Sequence, residues 1–86
     1  MKLILYSKPG CHLCEGLQEK LEQISGLDLE LEVRDINSRE DWFRAYQYEV
    51  PVLYRERDGR EEMLPRPSPR TTVRQLEKML KKYFGE

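Results

Sequence analysis

Residues 6–21 read YSKPGCHLCEGLQEKL, and the fold turns on how this stretch is divided. Lys2 to Tyr6 are rich in strand formers, and Pro9 and Gly10 stop a strand there. Behind the turn, Leu13, Leu17, Leu21 and Ile24 recur at spacings of four, four and three, with Glu, Gln and Lys between them. That period predicts an amphipathic helix running from the second cysteine to a stop near Ser25 and Gly26. Cys11 and Cys14 therefore sit where a strand hands over to a helix. Three uses are open to sulfurs so placed: a redox couple, half of a metal site, or small buried side chains.

Bulk properties narrow the choice. The chain has 86 residues, read as one domain over 1–86, and a chain of this size buries only about 60–65% of the surface its unfolded form exposes. Apolar residues are 38% of the sequence and charged residues 36%, which is enough for one thin core beneath a well-solvated surface. The formal charge is −1 with both signs intermixed, against the basic excess of a general nucleic-acid binder, so nucleic acid is not expected as a partner. No apolar run approaches bilayer length, and LILY is too short for a secretory h-region, so a soluble, cytoplasmic protein without a membrane partner is expected. In a reducing compartment a single cysteine pair is not a permanent staple. Catalysis, redox sensing and metal binding move ahead.

Working outward, residues 27–33 (LDLELEV) alternate apolar and acidic residues with period two, the pattern of a strand that extends to Ile36. Strand, helix and strand in this order predict a parallel pair joined by a right-handed crossover. Asn37 and Ser38, followed by Asp41, resemble a cap introducing a short helix with Trp42, Phe43 and Tyr46, which packs on the core or the groove and ends before Pro51. VPVLY predicts a third strand, Asp58 and Gly59 a two-residue hairpin turn, and EEMLP a fourth strand. If Arg57 pairs with Arg60, Tyr54 falls opposite Met63 and Leu53 opposite Leu64. PRPSPR is a stiff extended connection, and a last helix carries Val73, Leu76, Leu80 and Tyr83 on one stripe, capped by Ser68 or by Thr72 with Gln75. The expected architecture is α/β, in the order βαβαββα, with a four-stranded mixed sheet and three helices.

In that frame Cys11 stands at the mouth of the first helix and Cys14 one turn further in. Free N–H groups and the positive end of the helix dipole favour a thiolate on Cys11. Thiol pKa values in such motifs fall from about 8.5 to between roughly 3.5 and 7.5. Cys14 is near enough to attack a mixed disulfide formed on Cys11, so one sulfur is the nucleophile and the other the resolving thiol. Lys8 lowers the pKa of Cys11 or holds an anionic substrate; His12 either stabilises the thiolate or is an exposed imidazole. Tyr6 lines the cleft or completes the core. A structural metal needs four ligands, and only Cys11, Cys14 and His12 offer soft donors here, so no metal is expected.

YSKPGCHLC after a first strand, with Val50 and Pro51 opening a later one, resembles the glutaredoxin branch of the thioredoxin-like superfamily, and within it the small glutaredoxin-like proteins of C-x-L-C-E type. The resemblance covers nearly the whole chain. It implies that the Val50–Pro51 bond is cis, that Val50 offers backbone groups to an extended peptide or to glutathione, and that Lys8 meets a glutathione carboxylate. Three positions depart from the family pattern. His12 and Leu13 replace Pro-Tyr, Glu49 replaces a threonine, and PRPSPRTT stands where a Gly-Gly and an Asp hold the γ-glutamyl end of glutathione. The resemblance thus implies a thiol–disulfide oxidoreductase without an organic cofactor, working as a monomer on protein disulfides or glutathione mixed disulfides, with glutathione as a co-substrate and a thiol system as reductant. The alternatives are an iron–sulfur or other soft-metal module on Cys11, and an adaptor that docks proteins in the same groove.

Overall fold

Strand formers at Lys2–Ser7 make β1, and the amphipathic stretch behind the Pro-Gly turn makes α1 (His12–Glu22). The computed structural model describes residues 1–84; residues 85 and 86, to which the expected domain extends, lie outside it. The chain continues through β2 (Glu30–Asp35), a 3-10 turn (Ile36–Ser38), α2 (Glu40–Tyr46), β3 (Val52–Arg57), β4 (Arg60–Met63) and α3 (Val73–Phe84). The order is the expected βαβαββα. The four strands lie in the order β2-β1-β3-β4, with β1 parallel to β2 and antiparallel to β3, and β3 antiparallel to β4.

Alternation along β1 divides the core. Leu3 and Leu5 face one way, into a cluster with Leu17 and Leu21 of α1, Leu53 of β3, Leu64, and Leu76 and Leu80 of α3. Ile4 and Tyr6 face the other way, against Ile36 and Val52, with Trp42, Tyr46, Val50 and Tyr54 packed alongside. Period-two geometry makes that split obligatory, since neighbouring side chains on a strand leave opposite faces. Each buried leucine contributes about 1.5–3 kcal/mol, so the two small clusters carry most of the fold's stability.

Asp58 (φ 54°) and Gly59 (φ 78°) form the hairpin turn, and the register is the expected one: Arg57 opposite Arg60 and Tyr54 opposite Met63. Leu64, just past β4, still donates its N–H to the Leu53 carbonyl at 2.9 Å. Thr72 caps α3 in a reciprocal box: Gln75 N–H donates to Thr72 Oγ1 (3.1 Å), and Thr72 N–H donates to Gln75 Oε1 (3.0 Å).

Four local expectations are corrected. The buried stripe of α1 is Cys14, Leu17 and Leu21, while Leu13 is 54% exposed; a repeat of strictly four drifts around the helix, so Cys14, three before Leu17, closes the stripe and Leu13 falls outside it. The helix ends at Glu22, and Ile24 packs on the core from the following loop. β2 starts at Glu30 and not at Leu27, because its ladder opens where β1 does, with Glu30 opposite Lys2. Asn37 and Ser38 do not cap α2: the Asp35 carboxylate accepts from Asn37 N–H (2.9 Å), and the Ser38 hydroxyl donates to the Asp35 carbonyl (2.6 Å), which winds these residues into the 3-10 turn. The start of α2 thereby moves to Glu40, and its cap position, Arg39, makes no side-chain capping bond.

Candidate active site

β1 ends beside a turn in which Gly10 takes φ 80°, a conformation that a side chain disfavours, and this turn delivers Cys11 to the mouth of α1. The Cys11 N–H donates to the Lys8 carbonyl at 3.3 Å, closing the turn. Cys11 is the N-cap, with extended backbone (φ −89°, ψ 105°), and its sulfur takes the place of a capping oxygen, accepting from the Cys14 N–H at 3.2 Å. The two sulfurs are joined in a disulfide, with the Cα atoms 5.2 Å apart. Cys11 is half-buried, whereas Cys14 has no exposed surface. When the pair is reduced, the amide bond to Sγ and the dipole of α1 both act on Cys11, and both favour its anionic form. Cys14 shares the buried stripe of α1 with Leu17 and Leu21, where burial disfavours a thiolate.

The Val50–Pro51 peptide bond is cis, and Pro51 is buried where it borders the same groove as His12 and Leu13. The fold thus brings the Val-Pro pair and the cysteine turn together. Only part of Val50 is available, because its N–H already donates to the Tyr46 carbonyl at 3.1 Å. Lys8 is half-buried, and no partner for its ammonium is found among the described residues. The His12 side chain is 98% exposed, with Nδ1 3.9 Å from the Glu15 carboxylate, so its ring stands out from the turn. Tyr6 belongs to the opposite face of the sheet. Its ring packs against Tyr46 (4.4 Å between centroids), Tyr54 and Trp42, and its hydroxyl accepts from Arg34 at 2.8 Å. Among the described residues no group of three or more His, Cys, Asp and Glu side chains is placed to hold a metal ion.

A groove of about 460 Å³ runs from Pro51 along the exposed side of α1 to the wall formed by residues 67–69. Lys20 bridges its far end, donating from Nζ to the Pro69 carbonyl at 2.8 Å. Arg66 stands at the near end, where its guanidinium donates to the Glu49 carbonyl and lies 3.7 Å from the Glu49 carboxylate. A smaller hollow of about 340 Å³ continues on the other side of Pro51 and Arg66. Sequence reasoning did not single out Lys20, Arg66 or Gly16, and it put Leu13 on the apolar stripe of the helix and not at the groove. The signal for Leu13 was helical phase, since a buried Cys14 turns its neighbour outward. For Arg66 it was the place of PRPSPR in the topology, entering α3 at the end of the sheet where the Val-Pro pair lies.

Two helices on one face of a mixed four-stranded sheet, a third on the other, a cysteine pair at the mouth of the first helix and a cis-proline beside it define a protein of the thioredoxin-like fold with a redox-type site. The chain belongs to the glutaredoxin-like domain family (DUF836), which matches residues 2–81. Among solved structures it is similar to thioredoxin 1 of the thermophile Thermosipho africanus, at 17% identity and TM-score 0.69, covering 99% of this chain and 96% of that one. It is also similar to a structural-genomics target protein from X. campestris, at 30% identity and TM-score 0.62, covering 93% and 96%. A comparison with curated proteins found no match. No helix among the described residues is long and apolar enough to cross a membrane.

Proposed function

We propose that this protein is a thiol–disulfide oxidoreductase, with Cys11 as nucleophile and Cys14 as resolving thiol. The observation that carries the reading is the pairing of roles in one turn of helix: the Cys11 sulfur accepts the Cys14 N–H at 3.2 Å at the helix mouth, above a fully buried Cys14. The Cys11 thiolate attacks one sulfur of a substrate disulfide, forming a mixed disulfide and releasing the other sulfur as a thiolate that takes up a proton. Cys14, deprotonated, attacks the Cys11 sulfur and expels the second substrate thiol. The substrate gains two electrons and two protons, and the protein is left as the Cys11–Cys14 disulfide. A thiol reductant returns it to the dithiol by the same exchanges in reverse, and a cytoplasmic glutathione pool is the source we propose.

The remaining site residues take supporting roles. The Val50 carbonyl meets the backbone of an extended substrate, Pro51 fixes the approach, and the unpaired Lys8 ammonium attracts a substrate carboxylate. His12, outside the turn, is left to tune the charge at its mouth.

The test is intact-mass analysis of the protein and of Cys14→Ser across a series of glutathione redox buffers. The wild type is expected to lose two mass units over a defined range as the internal disulfide forms. The variant is expected to gain one glutathione on Cys11. A Cys11 that stays unmodified in both proteins, and that titrates as an ordinary thiol, overturns the proposal and favours a docking adaptor.

A further inference from the structure

Four glycines lie among the described residues, and two have a reason in their backbone. Gly10 and Gly59 take positive φ, while a Cβ on Gly26 would press only on the movable end of the Glu77 side chain. Gly16 has neither feature. It lies inside α1 with ordinary helical backbone, and a Cβ built on it meets no atom within 4 Å. Glycine in a helix interior is less stable than alanine, and nothing in the fold compensates for it here. The open space above Gly16 is the groove beside the cysteines.

Leu13 and Leu17 flank that space on α1, and Pro67 and Pro69 face it across the groove, so the surface around Gly16 is largely apolar. Leu13 is one of the few large hydrophobic side chains left more than half exposed, and it lies between the two cysteines in sequence. Two cations border the groove, Lys20 and Arg66, and Arg66 is paired with Glu49, whose carboxylate lies 3.7 Å away. Lys20 is bonded to a neutral carbonyl, which leaves its charge uncompensated there. Glutathione leaves the apolar space unfilled, since it has no bulky apolar side chain.

We infer that the Gly16 groove is a specificity subsite that seats a bulky apolar side chain flanking the reactive cysteine of an acidic polypeptide disulfide. The inference rests on the oxidoreductase reading and names the substrate class for it. The cysteine sulfur of the substrate lies over Cys11, its backbone runs past the Val50 carbonyl, and the neighbouring apolar side chain fills the space that Gly16 leaves open. Acidic residues beyond it approach Lys20. Pro67 and Pro69 fix the backbone of the facing wall, so the subsite exists before the substrate arrives. The wall is not extended throughout: Pro69 lies in a turn closed by the Thr71 N–H, which donates to the Ser68 carbonyl at 2.9 Å.

The experiment uses reduced protein and short cysteine peptides, each activated as a mixed disulfide with thionitrobenzoate, whose release is followed by absorbance. Leu is compared with Gly at positions within two residues of the cysteine, with an acidic or a basic flank, and oxidised glutathione and the bis-thionitrobenzoate disulfide are run beside them. The best acidic Leu peptide is expected to react at least about ten-fold faster than its Gly counterpart, the discrimination a filled apolar subsite gives. It should exceed its basic-flank twin by about three-fold, the scale of one exposed ion pair, with the margin shrinking in salt. Gly16→Leu fills the groove from within, and the Leu-to-Gly rate ratio should fall to near one. That ratio is internal to the variant, so a general loss of folding does not imitate it. Equal rates for Leu and Gly peptides, a ratio that Gly16→Leu leaves unchanged, a basic-flank peptide as fast as the acidic one, or oxidised glutathione matching the best peptide overturns the inference while leaving the oxidoreductase reading intact. Failure of the wild type to react even with the small aromatic disulfide overturns that reading, and the subsite with it.

Discussion

At Cys11 and Cys14 two identical side chains acquire different chemistry from a single turn of helix. One caps the turn with its sulfur and keeps some exposure; the other is fully buried on the stripe of Leu17 and Leu21. Environment at the same scale governs Glu32. Its carboxyl is held below the usual carboxylate range, first by the hydrogen bond from the Arg34 guanidinium and then by Lys2, whose Nζ is 2.9 Å away. A depressed folded pKa means that the contribution is present at neutral pH and is lost as pH falls from the unfolded value of about 4.3 through the lower folded value. Glu32 is 37% exposed, so solvent screens the pair and the contribution stays under about 1 kcal/mol. Denaturant unfolding of Glu32→Gln against pH is expected to show that loss at pH 7 and none in strong acid. A deficit that persists at low pH would mean that packing, not charge, is what the substitution removed.

Among the elements, α3 shows how a helix start is set. Thr72 and Gln75 satisfy one another's backbone N–H groups, and the helix behind them lays Leu76 and Leu80 on the sheet. Thr72→Ala removes one half of the box and leaves the Gln75 N–H without its side-chain acceptor. A loss of about 1 kcal/mol is expected. Thermal and chemical unfolding read it, and Thr72→Ser, which keeps the hydroxyl, should restore most of it. An unchanged stability in Thr72→Ala would show that solvent replaces the cap. The contrast with α2 is instructive, since its cap position carries Arg39, whose guanidinium instead pairs with Asp41 and lies 4.9 Å from the Trp42 ring centre. That helix is held by its aromatic side chains more than by its terminus.

Over the molecule as a whole, the sheet separates two unlike interiors. The face under α1 and α3 is aliphatic, while the face under α2 carries Tyr6, Trp42, Tyr46 and Tyr54. Tyr46 and Tyr54 share a hydrogen bond of 2.9 Å, and burial, followed by that bond, raises the Tyr46 pKa well beyond the ordinary phenol range. Burial raises Tyr6 as well, with the Arg34 hydrogen bond partly opposing it. Raised folded values mean that the neutral phenols stabilise the fold fully below the unfolded pKa of about 10, and that this contribution is lost as pH rises through the folded values. Titration of the five tyrosines by ultraviolet absorbance should therefore be split, with Tyr6 and Tyr46 ionising late and together with unfolding. A single smooth transition near pH 10 in the folded protein would contradict the buried aromatic face.

Much of this was legible in the sequence because it is local. The turn at Pro9 and Gly10, the helical period behind it, the Asp58 and Gly59 hairpin with its register, and the Thr72 and Gln75 box each depend on residues a few positions apart, where backbone geometry allows few solutions. The strand and helix order follows from those, and with it the placing of Cys11 at a helix mouth. Only the tertiary structure decided the rest. Helical phase against the sheet made Cys14 the buried sulfur and turned Leu13 outward. The Tyr46 carbonyl took the Val50 N–H, and Arg66 and the 67–69 wall came to face Gly16 across a groove. These are relations between residues distant in the chain, and periodicity carries no information about which distant surfaces meet. Packing of the strands and helices on one another is what selects them.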